Sequence, residues 1–273
     1  EFLGVELGER HNRSITLTKA GEEALPKLRE GFNTLADAVH IKKKKKSNES
    51  LSVWMAPSFA SKWLVPRLHT FSQQHPDIDM RISGEAKLVD ATEQHGALDE
   101  LFRAHEIDVM IRFGQGHYPS CLVEKLFSVE AVPLCKPSLL TESEHPLREP
   151  SDLRFHTLLH DDTPYIGRPS WERWLELAKV EGVDFKRGLH FNHVSLAMEA
   201  ALDGQGVLLS MDALARHDIE AGRLCIPFPL SMPLEHAYHV IRPKSSTTNQ
   251  RAASAFIAWV LAEAEEQEES RLA

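Results

Sequence analysis

Ser58 and Ser61 stand in the stretch "LSVWMAPSFASKWLVPRL", residues 51 to 68, where text fit for a buried strand stops at Pro57-Ser58 and an apolar helical spacing takes over. Small hydroxylated residues with no charge at such a handover suit a small anion. In open parallel sheets, ligands sit beyond the carboxyl ends of strands, where helices begin. A helix N-terminus offers unpaired N–H groups and about half a positive charge. A serine hydroxyl adds a donor without filling the space, and Phe59 and Ala60 lie in the same turn. On spacing alone, Ser58 could instead merely cap the helix.

Other strand ends carry polar groups too. "ISGE" leaves Ser83 at one, "IRFG" puts Arg112 and Phe113 at another, "LLHDD" leaves His160 and Asp161, and "HFNHVSL" leaves His193 and Ser195 just before a helix. Together they read as the lining of a cleft. A charge-assisted hydrogen bond from Arg112 to a carboxylate would contribute about 1.5–3 kcal/mol. The alternative for Arg112 is an ion pair with Asp108 or a loop carboxylate, and for His160 and Asp161 a loop satisfied by water.

Reactive chemistry is absent from the text. There is no G-x-S-x-G nucleophile elbow. Gly204-Gln205-Gly206 ends a helix instead of beginning one, so it reads as a helix C-cap and not a phosphate loop. The close pairs His156/His160 and His236/His239 lack a third and fourth ligand at recognised spacing. No catalytic residue, metal or cofactor is therefore expected.

The elements that must position these residues follow from periodicity. "GERHNRSITLT" reads as a short hairpin, and Thr18 can cap the next helix. Along that helix Leu25, Leu28, Phe32, Leu35 and Val39 recur at spacings of three and four, either a core face or a dimer seam. "KKKKKSNES" follows, a solvated hinge or a phosphate contact. From Leu51, strands "LSVWMA", "IDMRISG" and "IDVMIRFG" alternate with helices, the first bent at Pro66. A second set follows: "SVEAVPLC", "HTLLHDD", a helix around Trp171, Trp174 and Leu175, "LHFNH", "SLAMEAALDGQG" and "GVLLSMDAL". A last helix spans 249–265. This alternation predicts an α/β fold with parallel sheets in two lobes and a cleft between them.

Composition sets the outer bounds. A chain of 273 residues, 42% hydrophobic and 26% charged, suits an ordinary globular protein of two lobes. The net charge of -9 excludes a protein that coats nucleic acid with its whole surface. No apolar run is long enough for a membrane helix, and residues 1–20 lack a signal peptide's apolar core. Three scattered cysteines fit a reducing compartment, so a cytoplasmic location is expected.

Beyond these readings, "LGVELGERHNRSITLTKAGEEALPKL", "VWMAPSFASKWLVPRLHTFSQQHPDIDMRIS", "DVMIRFGQGHYP", "PLREPSDLRFHTLLHDD" and "LAMEAALDGQGVLL" occur in an order and spacing that resemble a LysR-type transcriptional regulator. Within that family the chain is similar to the branch of glycine-cleavage and β-lactamase activators. The resemblance implies a wing remnant of a winged helix-turn-helix at 1–17 and a dimerising linker helix with hinge at 18–46. It implies an effector domain like a periplasmic binding protein at 47–273, with one lobe near 51–129 plus 232–266 and the other near 130–231. It further implies an effector held between the lobes, DNA and a homodimer or homotetramer as partners, and no membrane. Effector contacts would come from Ser58, Phe59, Ala60, Ser61, Ser83, Arg112, Phe113, His160, Asp161, His193 and Ser195. Arg10, His11 and Arg13 in the wing would touch phosphates, which position without specifying. The family's recognition helix would precede Glu1, and both Lys87–Ala104 and the five lysines depart from its pattern. A solute-binding protein of the same fold, or an enzyme using His160 and Asp161, are the rival functions.

Overall fold

The computed structural model describes residues 7–11, 14–25, 27, 31, 49–85, 98–244 and 249–272. The chain divides into two compact units, Glu1–Asn48 and Glu49–Ala273. In the first, β1 (Gly8–His11) pairs antiparallel with β2 (Ser14–Leu17), the expected hairpin. Thr18 Oγ1 accepts the Gly21 N–H at 3.1 Å and so caps α1, helical over 19–25. Leu28, Phe32, Leu35, Val39 and the lysine block lie outside the described residues, as do Arg13 and residues 86–97.

The second unit is built on one eight-stranded sheet, ordered β4-β3-β5-β10-β6-β9-β7-β8. Strand β3 (Glu49–Met55) buries Leu51, Val53 and Met55 completely on one face, the two-residue period of a pleated strand. It pairs in parallel with β4 (Ile78–Gly84) and β5 (Val109–Gly114), whose six residues are all buried. At the far side β7 (Leu158–Asp161) lies parallel to β8 (Gly188–Phe191) and β9 (Val207–Met211).

Between these two parallel sets run β6 (Cys121–Leu134) and β10 (Met232–Pro243), antiparallel to each other and to their neighbours β9 and β5. The sheet is thus mixed, where continuous strand-helix alternation predicted parallel order throughout. The reason lies in β10, which the chain reaches only after the helix Asp212–Glu220 and which inserts between β5 and β6, running against both, so that β5 and β6 themselves run the same way. β10 joins the first parallel set through β5 and β6 joins the second through β9, and the β6–β10 ladder between them breaks register between Pro233 and Ala237.

After β3 comes α2 (Pro57–Phe59), continued by a π turn over Ala60–Leu64 and a break at 65–67 before α3 (Leu68–Gln74). Pro66, which has no N–H to donate, accounts for the break. The remaining helices are α4 (Leu98–Ala104), α5 (Ser138–Thr141), α6 (Trp171–Ala178), α7 (Val194–Leu202), α8 (Asp212–Glu220) and α9 (Gln250–Leu272). α9 buries Ala253, Phe256, Ile257 and Val260, and Gln267 accepts from Trp63 Nε1 at 2.7 Å, tying it to the α2 segment. Lys62, in the π turn, reaches Glu199 of α7 at 3.0 Å and the buried Asp218 of α8 at 3.4 Å. Those ion pairs join the two halves of the sheet above their shared core.

Candidate functional site

Three helices begin around one cavity. Pro57 and Ser58 open α2, Val194 and Ser195 open α7 behind His193, and Met211 precedes α8. Neither α2 nor α7 has a side-chain cap, so Ser58 is not the capping residue. In α2 the first intrahelical bond is Ala60 N–H to the Ala56 carbonyl at 3.0 Å; the earlier N–H groups have no acceptor within the helix. The wall opposite is the end of β7 and its following loop, with Asp161, Thr163 and Tyr165. Ser210, Leu214 and Tyr238 complete the lining. The cavity is narrow, about 30 Å³.

Asp161 is the charged member. Its Oδ1 accepts the Thr163 N–H at 3.0 Å and the Thr163 hydroxyl, and its Oδ2 accepts from Tyr165 at 3.4 Å. Burial raises its carboxyl above the ordinary value, against the lowering effect of those hydrogen bonds. Tyr165 is raised well above the usual phenol value by burial and by the Asp161 charge, and Tyr238 is raised by burial. Beneath, Phe59 stacks on Trp63 at 4.9 Å and meets Tyr238 at 4.7 Å, while Phe113 sits 5.2 Å from Tyr238 and 5.8 Å from Tyr165. These rings form a rigid floor.

Ser58, Asp161, His193 and Ser195 are therefore brought together, and Phe59 and Phe113 support them from below. Ala60 packs against the core. The exposed Ser61 hydroxyl donates to the Ser58 carbonyl at 3.3 Å. Ser83 is half-buried, paired through its backbone with Trp54, and absent from the lining.

Arg112 is buried on the other face of the sheet. It alternates with Ile111 and Phe113, which enter the main core, and its guanidinium lies 5.4 Å from the Tyr118 ring in the cluster that holds Met110 and Ile241. The proposed Asp108 partner instead accepts from the Ser52 N–H at 2.8 Å and from Asn249 at 3.2 Å, with burial raising its carboxyl.

His160 does not line this cavity, although Asp161, Thr163 and Tyr165 also line the outer groove that holds it. It stacks on His190 at 4.2 Å and 7° in an outer groove with Arg168 and Asp162, and His190 Nδ1 is 2.9 Å from Asp162. Burial lowers the His160 imidazole, and the neighbouring His190 adds to the effect. Thr163, Tyr165, Ser210 and Tyr238 were not singled out from the text. Ser210, a lone polar residue in "GVLLSM", and the D-x-T spacing of Asp161 and Thr163 were available as signals.

Among the described residues no group of three or more His, Cys, Asp and Glu side chains could hold a metal ion. No described helix is long and apolar enough to cross a membrane. The arrangement suits binding, with helix starts for negative charge and a half-buried carboxylate for positive charge.

Residues 44–265 match the family model described as the LysR substrate binding domain. The chain is 36% identical over 269 residues to the glycine cleavage system transcriptional activator of Escherichia coli K12, covering 98% of this chain and 83% of that one. It is 33% identical over 263 residues to the HTH-type transcriptional activator AmpR of Providencia stuartii, covering 96% and 82%. Among solved structures, the effector domain of AmpR from Pseudomonas aeruginosa superposes with a TM-score of 0.64 at 28% identity, covering 82% of this chain and all of that one.

Proposed function

Because this chain belongs to the LysR family of transcriptional regulators, we propose that it senses a small zwitterionic metabolite, an amino acid or close analogue, in the cavity bounded by α2, α7 and Asp161. The chain is a regulator with an effector-binding domain, and the relatives named above are neither enzymes nor solute carriers. One observation carries the ligand reading: a carboxylate that burial already disfavours shares a narrow cavity with the starts of three helices. The helix N–H groups and the Ser58 and Ser195 hydroxyls take the ligand's carboxylate. Asp161 takes its ammonium, with Thr163, Tyr165 and His193 alongside. Ser61, Ser83, Arg112 and His160 lie outside this reading of the site.

We expect a bound amino acid to widen this narrow cavity, with the halves of the sheet held by Lys62 shifting to admit it. The ligand then biases regulation only by binding one arrangement better than another; each tenfold preference is worth about 1.4 kcal/mol. Family members bind DNA and small-molecule effectors and act as oligomers. For this chain we take β1 and β2 as the wing of a winged helix-turn-helix, with Arg10, His11 and Arg13 near phosphates. The helix after Thr18 is the linker of a homodimer or homotetramer, and the site of action is the cytoplasm.

The test is a thermal-shift panel on the full chain. Amino acids, carboxylates without an amine, and amines without a carboxylate are compared. A ligand at a hundred times its Kd stabilises by about 2.7 kcal/mol. Zwitterions alone should raise the melting temperature; an equal rise with amine-free carboxylates would overturn the assignment to Asp161.

A further inference from the structure

The three cysteines are scattered in the sequence, yet folding sets two of them side by side. Cys135 follows the end of β6, and Cys225 follows the turn after α8, 90 residues later. They form an antiparallel bridge in which the Cys135 N–H donates to the Cys225 carbonyl at 3.1 Å and the Cys225 N–H returns the bond at 2.8 Å. A pair that exchanges both bonds has its Cα atoms about 5.5 Å apart, within the range of about 4.4–6.8 Å that disulfides span. The two sulfurs are 3.6 Å apart. Cys121 sits elsewhere, buried with Phe102, Met110 and Tyr118.

We propose that Cys135 and Cys225 are the site of a reversible intramolecular disulfide, formed by reaction with a hydroperoxide. Cys225 is partly exposed and Cys135 is fully buried, which assigns the first attack to Cys225. Its thiolate attacks the terminal peroxide oxygen; the O–O bond breaks, the alcohol leaves with a proton, and Cys225 becomes a sulfenic acid. The Cys135 sulfur then attacks the Cys225 sulfur, the S–O bond breaks, and water leaves with the Cys135 proton. Two thiols are oxidised, and one hydroperoxide is reduced to alcohol and water. The hydrogen bond between the two thiols lowers the Cys225 thiol, while that bond and burial push Cys135 up. The thiolate therefore forms on the reachable sulfur.

The bond would tie the end of β6 to the segment carrying Arg223, which pairs with Asp218, the residue that also holds Lys62. Oxidation would thus stiffen the joint between the two halves of the sheet.

The test uses the full chain, reduced and then treated with stoichiometric hydrogen peroxide. Thiols titrated in denaturant should fall from three to one, with Cys121 remaining, and a thiol reductant should restore them. Peptide mapping should find Cys135 joined to Cys225. Three persistent thiols, a bond to Cys121, or a bond between two chains would overturn the proposal. In Cys135→Ser, a dimedone-type nucleophile should trap sulfenic acid at Cys225, and Cys225→Ser should give none at Cys135. The reverse pattern would overturn the order of attack. Unchanged melting of the reduced variants shows that they fold.

Discussion

Asp161 holds a negative charge where burial resists it, and a stability measurement can detect that tension. Its carboxyl is raised in the folded chain relative to the unfolded one. The folded state therefore binds protons more tightly, and stability falls as pH rises through the unfolded value toward the folded one. At neutral pH the charged form is a net cost. Asp161→Asn, whose amide oxygen can still accept from Thr163, should leave stability unchanged or raise it by up to about 1 kcal/mol, while weakening amino-acid binding at least tenfold. Denaturant melts and calorimetry check the two halves of that statement. His160 has the opposite sign. Its imidazole is lowered by burial and by His190, so the unfolded chain binds the proton first, and stability falls as pH drops below about 6.5. His160→Gln should flatten that acid loss without changing ligand affinity. Arg112→Ala, by contrast, should lower stability by about 1–3 kcal/mol and leave ligand affinity intact, since its stack lies on the opposite face. Ser58 and Asp161 were legible because the strand-end rule needs only a strand and a following helix. Arg112 was not, because a strand buried on both faces gives no pattern that says which way each residue points.

At the scale of elements, the text revealed where strands and helices lie better than how strands run. "IDMRISG" is β4 residue for residue, whereas β6 begins at Cys121, several residues before the apolar stretch that announced it. Its exposed early positions share a register with β10 that no local pattern encodes. The Gly204-Gln205-Gly206 turn was legible in part. Gly204 has a φ of +79°, and the Gln205 and Gly204 N–H groups bond back to Ala200 and Ala201, a Schellman end to α7. Gly206 serves a second purpose: a Cβ there would collide with the Thr157 carbonyl, which accepts the Val207 N–H at 2.9 Å. Gly206→Ala should therefore part β9 from β7 and lower stability by more than the ordinary glycine-to-alanine effect of about 1 kcal/mol, measurable by urea unfolding. Lys62→Ala removes one of the two cations on Asp218, which is only 2% exposed. The expected loss is about 1–3 kcal/mol, reduced because Arg223 stays.

For the whole molecule, the α/β class followed from alternation, and the family from the order of several modest motifs. What stayed hidden was the meeting of residues distant in sequence: Tyr238 under Ser58, Lys62 against Asp218, Cys135 beside Cys225. Such contacts depend on how a mixed sheet folds back, and local text does not record that. If Arg10 sits near a phosphate on the operator, Arg10→Ala in the operator-bound regulator should reduce the salt slope of binding by about 1 without changing sequence preference. The central claim, that Asp161 receives the ligand's ammonium group, is tested most directly by a calorimetric double-mutant cycle. An amino acid and its amine-free analogue are each titrated into the unaltered chain and into Asp161→Asn. Removing the amine should weaken binding at least tenfold in the unaltered chain and hardly at all in the variant, a coupling of about 1.4 kcal/mol or more. Equal losses in both proteins would contradict the account.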